Sequence, residues 1–281
     1  MLLFPVSLPP SHLRSLGAAL TLAAAAATLP AADERAALDS YRAAVGMDFP
    51  QASVEVRQRH RDGRASAEDR FNLAIVLLNE QPQSAAKLDQ ARQLMAALAD
   101  DVSLPADLRA ASLYFQGRLE QCHARPVNPA AADGLYARVL ADFPDSAYAE
   151  RAFVMQAVIR QYEPLSVAEK RARLLALDAA AEARLRTPLT QRLYHLSAGL
   201  AWSRLLQDDD RAYAHYLRVH ELKLQNDYEN SNLLVRLGEL SRRRGDKAAA
   251  LKFFREFITR FPADRRTSLA REWIAVLEAK S

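Results

Sequence analysis

A repeating unit of about 40 residues, built from paired amphipathic helices, constrains this chain more than any other feature of its sequence. The predicted helix starts that share this spacing are Ser66, Leu104, Ala147, Pro188, Tyr228 and Ser268. One amphipathic hairpin cannot bury its own apolar face, so such units stack on one another. The sequence therefore predicts an all-α fold: an α-solenoid of about five helical hairpins, ending in a capping helix from Ser268 to Ala279.

Helix-capping residues support these boundaries. Ser66 is a predicted N-cap, and Ser166 to Glu169 forms a predicted capping box before a long helix rich in Leu and Ala. Thr187-Pro188 has the composition of a helix start. Gly245 is expected to end one helix in the left-handed conformation, and Asp246 is expected to cap the next.

The composition fits a folded helical protein. Half of the residues are apolar, and only eight are glycine. The 38 Lys and Arg residues barely outnumber the 34 Asp and Glu residues, and the two signs are interspersed. A solvated surface explains this pattern, and no nucleic-acid partner is predicted.

The N-terminus has the pattern of a secretory signal. An apolar stretch from Ser15 to Leu29 follows Arg14, and small residues offer cleavage at Ala25 to Ala27 or near Ala31. We therefore expect a periplasmic protein with no transmembrane span after cleavage; the alternative is anchoring by an uncleaved N-terminal helix. The predicted organisation is a signal peptide over residues 1–31, a helical leader over residues 32–64 and the solenoid over residues 65–281. Two short helices, Asp33 to Val45 and Ser53 to Arg59, are expected in the leader.

Several residues resemble a known repeat family. Leu237-Gly238, Ala250, Phe254 and Pro262 lie at the spacings of a tetratricopeptide helical hairpin. The segments Pro144 to Ala152 and Ala250 to Asp264 resemble those of periplasmic tetratricopeptide proteins such as the TolA-binding proteins and the BamD-type outer-membrane assembly factors. The chain lacks the N-terminal lipid-bearing cysteine of the BamD type and the long heptad segment of TolA-binding proteins.

The resemblance implies a partner-binding groove. In this family, positions 2, 5, 9 and 12 of each first helix line the concave face, where a protein or peptide partner binds. The residues that it selects here are Tyr114, Arg118, Val154, Gln161, Asn232, Val235, Glu239 and Arg242. The mixed aromatic, aliphatic and charged character of this set favours an extended peptide or a helix as the ligand.

No enzyme motif, cofactor motif or metal motif is present in the sequence. His195, His215 and His220 share one predicted hairpin, but their spacings do not match a metal site, so we expect surface or partly buried histidines. The acidic run from Asp208 to Asp210 is interpreted as a helix cap. Trp202 and Trp273 are expected to fill the seams between helices.

The basic run from Arg57 to Arg64 has two interpretations: a solvated linker, or a contact with anionic lipid or an acidic partner. The leading hypothesis for the whole chain is a non-enzymatic exported scaffold for cell-envelope assembly or maintenance. The alternative is an accessory module that positions an envelope enzyme or polysaccharide-export machinery. A hydrolase is disfavoured because no acid-base pair is visible in the sequence.

Overall fold

The computed structural model describes residues 49–223 and 226–279, with side chains from Val54 onward. The predicted signal peptide, the predicted helix from Asp33 to Val45 and most of the leader lie outside the described residues. In the described ranges the chain is helical and contains no β-strand. The prediction of an all-α fold built from helical hairpins is confirmed.

Twelve α-helices occupy the described residues. They are α1 (Phe49–Arg61), α2 (Ala67–Asn79), α3 (Ala85–Asp100), α4 (Ala106–Arg118), α5 (Pro129–Asp142), α6 (Ala147–Gln161), α7 (Val167–Arg184), α8 (Pro188–Leu205), α9 (Asp209–Glu221), α10 (Asp227–Arg243), α11 (Lys247–Arg260) and α12 (Thr267–Ala279). A π-helical turn, Leu119–His123, continues α4 and was not predicted. Among these helices, none combines the length and the apolar character that a membrane span requires.

The predicted caps explain where the helices begin and end. In each predicted N-cap, the side-chain oxygen accepts a hydrogen bond from a backbone N–H of the first turn; these caps are Ser66, Ser166, Thr187 and Asp246. Ser166 and Glu169 form the predicted capping box. Gly245 adopts a φ of 78° at the end of α10, in the left-handed region that glycine tolerates best.

The chain divides into two compact units, residues 1–156 and 157–281. In the first unit, α1 to α5 pack successively, each helix against the next. α2 also contacts α4, so the first helix of one hairpin lies on the first helix of the following hairpin, as in a solenoid. The largest fully buried side chains here are Leu73, Leu77, Met95, Leu98, Leu113, Leu119 and Tyr136.

In the second unit, α8 with α9 and α10 with α11 form hairpins, and α9 packs on α10. α12 packs on α11 as the predicted capping helix, with the ring centroid of Trp273 4.9 Å from that of Phe254. Trp202 is fully buried, so both tryptophans contribute to helix packing as predicted. The other large buried side chains are Tyr194, Phe253, Phe254 and Phe257.

Three hairpins close where a glycine of the first helix faces an aromatic ring of the second. A Cβ atom built on the glycine would lie 2.6 Å from Tyr136 at Gly117, 3.0 Å from Tyr216 at Gly199 and 2.5 Å from Phe254 at Gly238. Real Cβ atoms essentially never approach a neighbour within 3.0 Å. Glycine therefore allows the two helices to approach this closely, and the ring occupies the space of the missing side chain.

The basic run does not form one solvated linker, because Arg57, Arg59, His60 and Arg61 belong to α1 and only Arg64 lies in the loop that follows. Arg57 forms an ion pair with Glu80 at 2.8 Å, and Arg59 forms one with the fully buried Asp69 at 2.7 Å. A buried carboxylate is stable only when it is paired, so Arg59 is needed there. The linker interpretation is therefore wrong for Arg57 and Arg59, whose side chains hold α1 against α2 and the residue that follows α2, whereas His60, Arg61 and Arg64 are exposed.

Candidate partner-binding surface

Tyr114 and Arg118 lie one turn apart on α4 in the first unit, within a cluster of aromatic rings. The ring centroid of Tyr114 is 5.2 Å from that of Phe115, 5.9 Å from that of Tyr136 and 5.5 Å from that of Tyr148. Tyr114 is only 6% exposed. It therefore forms part of the floor of the surface and does not protrude from it.

The π-helical turn after α4 supplies a neutral partner for Arg118. Gln121 lies in this turn, and its Oε1 accepts hydrogen bonds from the Tyr136 hydroxyl at 2.8 Å and from Arg118 Nη1 at 3.3 Å. Nη1 of Arg118 also lies 3.0 Å from the sulfur of Met155 on α6. The guanidinium is thus held by an amide and a thioether, neither of which carries a charge.

Among the residues that the structure describes, Arg118 forms no ion pair. The same holds for Arg151 on α6, whose guanidinium lies over the Tyr148 ring, 5.5 Å from its centroid. Other arginines of this unit do meet carboxylates; they are Arg57, Arg59, Arg64, Arg92 and Arg138. The surface around Arg118 therefore carries positive charge without a neutralising acidic side chain.

The pKa values of neighbouring groups reflect this environment. Burial raises the pKa of the Tyr114 hydroxyl, although Arg118 and Arg151 act in the opposite direction. Burial also lowers the pKa of His123, and the cations Arg118 and Arg125 lower it further. His123 is therefore kept neutral near Arg118, and it adds no charge at neutral pH.

Val154 and Gln161 both lie on α6, on the two sides of the division between the units. Val154 is 1% exposed and belongs to the core of the first unit. Gln161 is fully buried in the second unit, and neither its amide nitrogen nor its amide oxygen has a hydrogen-bond partner in the described part of the chain. Their contact with a partner stays a prediction.

The other predicted groove residues lie on α10 in the second unit. Val235 is 8% exposed, and Glu239 is half-buried. Arg242 is exposed, with its guanidinium 5.6 Å from the centroid of the Trp273 ring. Asn232 accepts a hydrogen bond from Arg266 Nη1 at 2.7 Å, which gives this amide a role in packing α10.

Arg266 connects this face of α10 to the start of α12. Its guanidinium donates to both carboxylate oxygens of Asp264, at 2.9 and 2.6 Å, and to Ser231 Oγ at 2.9 Å. These hydrogen bonds hold the pKa of Asp264 at about 2. Arg266 therefore uses its planar fork of donors to fix the capping helix onto α10.

A second cluster of polar groups, which the sequence analysis missed, connects α7, α8 and α9. Asp178 on α7 accepts hydrogen bonds from the Tyr194 hydroxyl at 2.5 Å, Trp202 Nε1 at 3.0 Å and His215 Nε2 at 3.3 Å. The Nδ1 atoms of His215 and His195 lie 2.9 Å apart. Two of the three predicted histidines are thus brought together by a carboxylate from the preceding helix.

This geometry fixes the tautomers when both imidazoles are neutral. A carboxylate only accepts, so Nε2 of His215 carries its hydrogen, and Nδ1 of His195 must then donate to Nδ1 of His215. Burial lowers the pKa of His195 to about 4, and electrostatic interactions with His215 and Arg218 act in the same direction. Burial acts to raise the pKa of Asp178, but hydrogen bonds from His215, Tyr194 and Trp202 outweigh it and leave the pKa lowered.

Metal binding finds no support in residues 49–223 and 226–279, where no three His, Cys, Asp or Glu side chains are grouped to hold an ion. His220 lies apart from the other two histidines, with its ring centroid 5.6 Å from that of Phe253. Asp208 caps α9 by accepting from Arg211 N, as predicted. Asp209 and Asp210 form ion pairs with Arg243 and Arg244.

Residues 233–264 match the family model of the tetratricopeptide repeat. This match identifies a tetratricopeptide repeat. It runs from α10 to the loop after α11 and contains the close contact between Gly238 and Phe254. Comparison with curated proteins gives no match to this chain.

The structure extends the repeat geometry beyond the matched residues. The pairs Gly117 with Tyr136 and Gly199 with Tyr216 repeat the glycine-to-ring contact of Gly238 with Phe254. The sequences of these two hairpins resemble the tetratricopeptide pattern only loosely. The tetratricopeptide resemblance is thus supported by the matched segment and the helical architecture, whereas the likeness to TolA-binding and BamD-type proteins stays a prediction.

Proposed function

We propose that this chain is a non-enzymatic tetratricopeptide scaffold, exported to the periplasm, which binds a partner protein on the first helices of its hairpins during cell-envelope assembly or maintenance. The observation that carries the proposal is the tetratricopeptide repeat at residues 233–264 of the second unit. In the first unit, where successive hairpins pack on one another, α4 presents Arg118, whose described partners carry no charge. Repeat folds of this kind offer extended surfaces for polypeptides.

The cluster around Asp178 supports a structural role and not a catalytic one. Three donors already occupy its carboxylate, and the nearby Ser197 hydroxyl donates to the Tyr194 carbonyl at 2.9 Å, away from the two imidazoles. A nucleophile would need a hydrogen bond to its base. This arrangement therefore favours a scaffold over the hydrolase alternative.

Site-specific crosslinking tests the binding role. Cys122 is the only cysteine of the chain, is exposed and lies four residues after Arg118. A benzophenone attached to Cys122 is expected to give one discrete crosslinked protein in extracts of the cell envelope. The matched control carries Cys122→Ser and Ala137→Cys, which moves the label to an exposed position of α5. Equal crosslinking from both positions, or none from Cys122, would contradict the proposal.

The identity of the crosslinked protein also separates the two candidate roles. A structural envelope protein supports the scaffold role, and an enzyme or a component of polysaccharide export supports the accessory role. Export is tested separately by fractionating cells and sequencing the N-terminus of the mature protein. Cleavage between residues 25 and 32 is expected, and a full-length cytoplasmic protein would exclude a periplasmic location.

A further inference from the structure

The surface around Arg118 contains hydrogen-bond donors in excess of acceptors. Arg118 has five N–H donors; its Nη1 meets the Gln121 amide oxygen and the Met155 sulfur, and the Tyr136 hydroxyl is a further neutral partner. The Tyr114 hydroxyl has no hydrogen bond to any described residue, and Tyr114 is 6% exposed, so the hydroxyl can donate to a ligand. Arg151 contributes a second guanidinium on the adjacent helix α6.

Charge makes this arrangement selective. The two arginines lie close enough to act on the Tyr114 hydroxyl electrostatically. Of the acidic side chains nearest to these arginines in sequence, Glu120 is already engaged by Arg92 at 2.7 Å, and Glu150, directly before Arg151, has an interaction of its own. Removing half of a guanidinium from water without an anion beside it costs free energy. A bound anion would therefore stabilise it.

We propose that Arg118, Arg151 and the Tyr114 hydroxyl form a pocket for a Glu or Asp side chain of an acidic segment in the partner protein. This inference rests on the proposed scaffold function and specifies the chemistry of its partner. A carboxylate supplies the two planar acceptors that match the fork of Arg118, and one of its oxygens can also accept from Tyr114. Beside this group, the partly exposed ring of Phe115, 5.2 Å from Tyr114 between ring centroids, offers apolar contact to the residues that flank the carboxylate.

The partly exposed Phe115 ring is what favours a polypeptide over a free anion. A small anion would leave this ring in contact with water, whereas a segment that alternates acidic and apolar residues covers it while its carboxylate reaches the arginines. The neutral acceptors of Gln121 and Met155 hold the Arg118 guanidinium in place. Because they carry no charge, they do not replace the anion that Arg118 would bind. The pocket is therefore preorganised for one charged group within a longer ligand.

The experiment compares two fluorescent 12-residue peptides that differ only in charge. One alternates Glu with Ser and Leu, and its twin has Gln at every Glu position. With the full-length protein, the Glu peptide is expected to bind about tenfold more tightly by fluorescence anisotropy. It is also expected to slow the alkylation of the exposed Cys122, which reports occupation of this surface.

Variants assign the preference to the pocket. Arg118→Gln is expected to reduce the Glu-to-Gln preference to less than about twofold, and Arg151→Gln is expected to weaken it partly. Arg138→Gln is the matched control, because Arg138 is an exposed arginine of the same unit and is paired with Asp100. If Arg118→Gln loses helicity, Arg118→Lys keeps the charge but not the fork, and should retain only part of the preference.

Equal affinity for the two peptides would contradict the proposed pocket. The same loss of the Glu-to-Gln preference in Arg138→Gln as in Arg118→Gln would also contradict it. Displacement by inorganic phosphate without discrimination between the peptides would assign a simple anion site instead. Tighter binding of a peptide of residues 33–45, or self-association that Arg118→Gln abolishes, would assign the occupant to this chain itself. Crosslinking from Cys122 does not depend on the charge of the ligand, so it separates failure of this pocket from failure of the scaffold role.

Discussion

Phe254 occupies the space in which Gly238 would otherwise carry a side chain, with a ring carbon only 2.5 Å from the position of a Cβ. The contact lies inside the tetratricopeptide repeat and joins α10 to α11. Phe254 is fully buried, so its ring cannot move aside without disturbing the core. The distance between α10 and α11 is thus set by the absence of a side chain at Gly238.

Replacing these glycines by alanine should destabilise the protein in proportion to the clash. We expect Gly238→Ala and Gly117→Ala to cost about 1–3 kcal/mol of unfolding free energy, because overpacking forces the rings or the backbone to shift. Gly199→Ala should cost less, since its Cβ would lie 3.0 Å from the Tyr216 ring. Urea unfolding followed by circular dichroism measures all three variants.

Gly134→Ala is the control for this series. Gly134 is exposed within α5, and a Cβ there would meet no atom within 4 Å. Alanine should stabilise this helix by about 0.5–1 kcal/mol, because it has the higher helix propensity. Destabilisation of Gly134→Ala by as much as Gly238→Ala would show that the steric contact with the facing ring does not govern the series.

Acidification should weaken the second unit through His195. The folded protein holds the pKa of His195 at about 4, whereas the ordinary value is 6.5. The unfolded chain therefore binds more protons between these values, so stability is full above pH 6.5 and falls as the pH is lowered towards 4. We expect a loss on the order of 2 kcal/mol after allowing for solvent screening of this partly exposed ring.

Denaturant midpoints at pH 7.5, 5.5 and 4.5 measure this effect. His195→Gln should reduce the pH dependence over that range, because one titrating group is gone while His123, whose pKa is also lowered, remains. His220→Gln should leave it unchanged, since His220 contacts Phe253 and lies outside the cluster around Asp178. A wild-type protein whose stability is constant from pH 7.5 to 4.5 would contradict the assignment.

Removing the carboxylate of Asp178 should affect three helices together. Asp178→Ala leaves the Tyr194 hydroxyl, Trp202 Nε1 and His215 Nε2 without their acceptor, which we expect to cost about 2–4 kcal/mol. The environment of Trp202 should change as well, and its fluorescence measures that change. Glu182→Ala, at an exposed position of the same helix, should have little effect on either property.

Arg266 should control the local opening of α12. Arg266→Lys keeps the charge but cannot form the paired contact with Asp264 together with those to Ser231 and Asn232. We expect faster hydrogen exchange in residues 267–279, while α8 and α9 keep their protection. Arg265→Lys is the matched control, because Arg265 is its exposed neighbour. Equal exchange in the two variants would show that the fork of Arg266 is not required.

The sequence was sufficient to predict the helical hairpins because their signals are local. Apolar periodicity and caps such as Ser166 and Asp246 depend on residues within one or two turns of each other. The π-helical turn after Arg118 was not predicted, since no short-range pattern distinguishes it from a continued α-helix.

The contacts of the candidate surface were less predictable than the fold. Tyr114 and Arg118 were selected by their helix positions, but Arg151, Gln121 and Met155 join them only through tertiary packing. The Asp178 cluster was missed for the same reason: 37 residues separate Asp178 from His215. The one signal in the sequence was an Asp on the helix that precedes the helices of His195 and His215. Its distance along the chain from the two histidines does not distinguish it from any other Asp.

Each glycine and its facing ring belong to the same hairpin, at Gly117 with Tyr136, Gly199 with Tyr216 and Gly238 with Phe254. In a chimaera that exchanged single helices, a glycine would face a residue other than its aromatic ring, or a ring would face a residue that carries a Cβ. Exchange of whole hairpins would transfer both members together. For recombination or redesign of this protein, the smallest transferable module is therefore the helical pair.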